Sequence, residues 1–143
     1  YVNLLRFHRR KCLLFTNEET LYSFLVYRVL KKDILNINSV FVSNLIFNLQ
    51  YEGIPAELAQ KVANDYSDAR IAKTRSKSVL GTMVDIAKML DFILEDEPIL
   101  RNHTLMHINY KINRTPFSVL KYNYPIDGMR MKFGIKEKRL ERI

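Results

Sequence analysis

The chain is poor in the residues that staple or punctuate a fold: one Cys, four Gly, four Pro and no Trp among 143 residues. A single cysteine, Cys12, excludes an intrachain disulfide framework and fits a reducing compartment. So few glycines and prolines argue against a many-stranded sandwich, whose turns require both. No apolar run approaches the ~20 residues that span a bilayer. Arg6, His8, Arg9, Arg10 and Lys11 interrupt the first segment, so it does not read as a signal peptide. Low-complexity tracts and solenoid repeats are missing too, and no Pro, Gly or Ser linker divides the chain. The expectation is one soluble, cytoplasmic domain over residues 1–143, with no membrane partner.

What is present is ordinary globular composition with an excess of positive charge: 48% hydrophobic residues, and 23 Lys plus Arg against 15 Asp plus Glu, for a formal +8. Such a balance favours polyanionic partners, or serves solubility alone. The pattern predicts an α+β fold, a small N-terminal antiparallel meander packed against about five helices. Val2 to Phe7, Lys11 to Phe15 and Leu21 to Tyr27 read as strands, separated by the polar clusters His8-Arg9-Arg10 and Asn17-Glu18-Glu19. From Asp33 the period becomes helical, with Ile37, Phe41 and Leu45 four apart and Gly53 as a stop. Pro55 opens a second helix carrying Leu58, Val62 and Tyr66, and residues 69–73 read as a short strand rejoining the sheet or as a loop, which periodicity does not separate. The clearest helix begins after Ser76 or Ser78, with Val79, Met83, Ile86, Leu90 and Ile93 on one face, and is expected to be the central core helix. Leu105, Ile108 and Ile112 mark a helix ending before Pro116; Pro125, Ile126, Met129 and Phe133 mark the last, interrupted by Gly134.

Two segments concentrate the charge. Lys73-Thr74-Arg75-Ser76-Lys77-Ser78 runs into a helix start, where unsatisfied N–H groups and the dipole favour an anion, although the Walker spacing is absent. The alternative is a capped, solvated helix start. His8-Arg9-Arg10-Lys11 lies at a predicted hairpin tip, suited to phosphates or simply to protecting a sheet edge. Arg114, in Asn113-Arg114-Thr115-Pro116, is either a buried anchor or a ligand contact. His103 and His107 share a helix face but lack the remainder of a zinc signature, so no metal or cofactor is expected. Cys12 reads as a small core residue.

In the blocks Arg9-Arg10-Lys11-Cys12-Leu13-Leu14-Phe15-Thr16-Asn17, Lys73-Thr74-Arg75-Ser76-Lys77-Ser78-Val79-Leu80-Gly81 and Ile112-Asn113-Arg114-Thr115-Pro116 the chain resembles a bacterial domain of unknown function, found alone or ahead of a plasmid open-reading-frame-three-like domain. The resemblance covers most of the chain and implies no activity. It implies a further basic strand and helix ahead of the first strand, which agrees with a sequence starting at Tyr1 inside a strand-like pattern.

Three functions follow as expectations. The first is a non-enzymatic module binding nucleic acid or an acidic protein through the tip, the 73–78 loop and Arg114. The second is a metal-independent, toxin-like ribonuclease with His8 as base and Arg9, Arg10, Arg75 and Lys77 stabilising charge, which requires His8 and the Ser76 loop to meet in one cleft. The third is a protein–protein regulatory module, including a homodimer through a sheet edge.

Overall fold

The computed structural model describes residues 1–65, 76–95, 101–117, 120 and 123–134. The strand expected at 69–73, residues 73–75 of the basic loop, Asp96, Glu97 and the charged tail lie outside them.

Three strands, β1 (Val2–Phe7), β2 (Arg10–Thr16) and β3 (Ser23–Val26), form an antiparallel meander in the order β1-β2-β3. Six helices are described: α1 (Lys31–Leu35), α2 (Ile37–Tyr51), α3 (Ala56–Asp65), α4 (Lys77–Glu95), α5 (Asn102–Ile112) and α6 (Pro125–Lys132). The α+β class is as expected. The helix anticipated from Asp33 is two helices, because Asn36 leaves helical geometry (φ −117°, ψ 40°) and its amide donates to the Lys32 carbonyl at 2.8 Å, closing α1. Gly53, at φ +85°, ends α2 as expected: its N–H donates to the Gln50 carbonyl and that of Ile54 to the Leu49 carbonyl, a Schellman closure with Leu49 and Ile54 both buried.

Helices cover both sheet faces. Cys12 and Leu14 of β2 and Leu25 of β3 point to one side, against Val79, Met83, Ile86, Leu90 and Leu94 of α4 and Leu105, Ile108 and Ile112 of α5. Leu13, Phe15 and Phe24 point to the other, against Leu45 and Leu49 of α2, Ala59 of α3 and Ile126 and Met129 of α6. Burial on both sides explains why β2 reads as an unbroken apolar run rather than an alternation. α4 holds the central place its pattern predicts, except that Leu94 is fully buried where Ile93 was expected and Ile93 is half-buried.

The outer edge of β3 is closed by side chains. Asn109 accepts the Leu25 N–H at 2.8 Å and donates to the Leu25 carbonyl at 3.2 Å; Asn113 does the same for Ser23 at 2.8 and 2.6 Å. The asparagines are four apart, Asn109 in the last turn of α5 and Asn113 at its C-cap, and their targets are two apart on β3, so one helical turn matches one strand repeat. Each primary amide supplies the donor and acceptor that a fourth strand's peptide group would supply. A homodimer through this edge is therefore blocked.

Candidate functional site

Phe7 and Arg10 are paired, so His8 and Arg9 form a two-residue hairpin loop. Both take positive φ, 52° and 62°, as tight hairpins require, although neither is Gly or Asn. His8 Nε2 lies 2.6 Å from the carbonyl of Leu94, which can only accept, so Nε2 carries the proton and donates. Nδ1, 3.0 Å from the Tyr27 hydroxyl, is left to accept from it in the neutral ring. His8 thus clips the hairpin tip to the C-terminal turn of α4, with both ring nitrogens engaged. Arg9, Arg10 and Lys11 are exposed. Cys12 is fully buried, and burial raises its thiol pKa, consistent with a core residue.

The second basic segment is at the other end of the same helix. Ser76 Oγ accepts the Val79 N–H at 3.3 Å and is the N-cap of α4, while Lys77 and Ser78 occupy its exposed first turn. With α4 running Lys77–Glu95, a rise of 1.5 Å per residue separates Ser76 from the Leu94 carbonyl by about 27 Å. His8 and Ser76 therefore stand at opposite ends of α4, and Arg75 of the same expected set lies outside the described residues.

Arg114 is the anchor rather than the free contact. Its Nη1 and Nη2 donate to Glu52 Oε1 and Oε2 at 3.0 and 2.8 Å, Nη1 also donates to the Tyr110 carbonyl, and the guanidinium sits 3.3 Å above the Tyr110 ring. The Glu52 side chain is 2% exposed, so the pair is nearly dry on the acidic side. Burial, reinforced by the charge of Glu52, pushes the Tyr22 hydroxyl pKa well above 10, with Arg114 opposing. His103 and His107 are exposed, and the His107 ring stacks beside Tyr110. No cluster of three metal donors occurs among the described residues.

Four cations not singled out in the sequence join the tip. The bonded pair Tyr1·Thr16 sets the ladder's alternation, so Arg6 and Lys11 are opposite each other in a non-hydrogen-bonded position, where side chains approach to about 5 Å. The Val29 N–H donates to the Lys11 carbonyl at 2.8 Å, and Arg28, at φ +62°, precedes it, so Arg28 lies alongside Lys11. Lys31 and Lys32 follow in α1. Arg6, Lys11, Arg28, Lys31 and Lys32 are all exposed, and no described carboxylate pairs with them. Asp33, the nearest acid in sequence, has Oδ2 on the Leu30 N–H at 2.7 Å. Since Phe7 and Cys12 face α4, the period of two turns Arg6 and Lys11 to the opposite face, away from the α4 end bearing Asp91 and Glu95. The acids Glu18 and Glu19 lie in the turn beyond the far end of β2, Glu19 pairing with Lys132 at 2.8 Å. The described acids at the far end thus have cations beside them, Lys132 for Glu19 and the Tyr1 ammonium for Glu18, whereas the cations at the tip end have no described acid paired with them.

A three-stranded sheet held between two helical layers, with these blocks in this order, defines a small α+β fold. The model of a domain-of-unknown-function family, DUF6933, matches residues 1–128, and the chain belongs to that family. No curated protein and no solved structure matches the chain.

Proposed function

We propose that this domain is a non-catalytic module that binds a polyanion through the cationic end of its sheet. The observation that carries the reading is the cross-strand pairing of Arg6 with Lys11, extended by Arg28, Lys31 and Lys32, with no described acid to balance them. Like charges directly opposite on neighbouring strands destabilise a sheet, and an anionic ligand relieves that repulsion. Arg9 extends the surface at the tip, while Arg10, opposite Phe7, lies on the α4 face of the sheet. The Lys77 and Ser78 end of α4 is a separate basic position, about 27 Å from the tip along α4.

Nucleic acid and acidic protein are the two polyanions in question. The lone buried Cys12 supports a reducing, cytoplasmic setting, and a bacterial source with a plasmid open-reading-frame-three-like neighbour is what the family resemblance carried by the three sequence blocks implies. Binding to a labelled duplex oligonucleotide and to polyglutamate, measured at several salt concentrations, tests the reading. With five cations engaged on duplex DNA, the log–log salt slope is about −4 to −5. Absence of binding to either polymer at low salt refutes it.

A further inference from the structure

The outer edges of the sheet are treated differently. On β3 the outward-facing groups of Ser23 and Leu25 are all bonded to Asn113 and Asn109. On β1 the ladder alternation turns the N–H and C=O groups of Val2, Leu4 and Arg6 away from β2, and no described backbone group bonds to them. Leu4 is 48% exposed and sits next to the Arg6–Lys11 row on the same face; Leu30 and Leu35, at 54% and 75%, flank Lys31 and Lys32. These neighbours of the cations are aliphatic, Phe7, Phe15 and Phe24 are buried, and the two aromatic rings at the tip are already engaged, His8 with the Tyr27 hydroxyl and with the Leu94 carbonyl.

We infer that the partner at this end is an extended acidic segment of another protein, added to the sheet as a strand antiparallel to β1. This rests on the polyanion reading and specifies the polyanion. Main-chain bonds to Val2, Leu4 and Arg6 supply affinity, and side chains on the Leu4 face supply specificity. In an antiparallel arrangement the residue opposite Arg6 precedes the one opposite Leu4. The segment therefore reads, from its N-terminus, acidic, any, apolar, any, apolar: a carboxylate on Arg6 and Lys11, then apolar side chains on Leu4 and Val2.

The probe is a fluorescein-labelled peptide, Glu-Thr-Glu-Thr-Ile-Thr-Val, titrated with the whole chain at low salt and followed by anisotropy. N-methylation of the amides of Ile and Val, which face β1, weakens binding by about tenfold or more, while methylation of the intervening Thr amides leaves it unchanged. Equal effects of the two methylations, or no effect of either, overturn the inference. Leu4→Pro removes an outward N–H at an edge position where proline is tolerated and gives the same loss; circular dichroism checks that it folds, and the methylated peptides decide the matter if it does not. A DNA oligonucleotide that binds while the peptide does not overturns the strand-addition inference and leaves the polyanion reading standing. Failure of both ligands to bind overturns both.

Discussion

Asn109 and Asn113 each satisfy a buried peptide N–H and C=O, so truncating either leaves two backbone groups without partners. Asn113→Ala lowers unfolding free energy by about 2–4 kcal/mol, measured by urea denaturation, and Asn113→Asp fails to rescue it because a carboxylate cannot donate to the Ser23 carbonyl. Arg114→Ala removes the bidentate cationic partner of the buried Glu52 carboxylate and costs about 3 kcal/mol, an effect reduced in the double variant with Glu52→Gln. Tyr22 has a pH signature. Its folded pKa is raised, so the folded state holds the proton more tightly than the unfolded chain; the resulting stability is complete below pH about 10 and is lost as pH rises through the folded value. Stability falls above pH about 10, and Tyr22→Phe makes that fall shallower in denaturation curves taken across the range. None of these three pairings is visible in sequence. Asn109 and Leu25, like Asn113 and Ser23, carry no mark of pairing there, and the Glu52–Arg114 pair joins positions 62 apart.

At the scale of elements, apolar periodicity was enough to find α4, α5 and α6, because each buries one face against the sheet and period follows burial, while the strands of the meander were legible from β-forming residues set between polar turn clusters. It failed at Asn36, where a local side-chain bond rather than hydrophobicity ends the helix. The two basic segments were legible as runs, but the cationic row was not. Arg6 and Lys11 face each other only through the strand register, and Arg28 reaches them through the Val29–Lys11 bond. That row makes stability and binding pull in opposite directions. Lys11→Glu turns a repulsive cross-strand pair into an attractive one and raises stability by about 0.2–1 kcal/mol, while weakening polyanion binding; a melting curve and a binding titration on the same variant check both signs.

Across the described residues, Arg6, Lys11, Arg28, Lys31 and Lys32 gather at one end of the sheet without a described acid paired to them, while Glu19 beyond the other end is paired with Lys132. The net +8 of the sequence conceals this arrangement, and α4 sets the Ser76 end about 27 Å from the hairpin tip. The most direct measurement compares the salt dependence of duplex and polyglutamate binding by the parent chain with that of Arg6→Glu and of Lys77→Glu. The account predicts that Arg6→Glu cuts affinity by about tenfold or more and flattens the slope by about one to two, while Lys77→Glu changes affinity by less than about threefold. Equal losses from the two variants, or a larger loss from Lys77→Glu, contradict it.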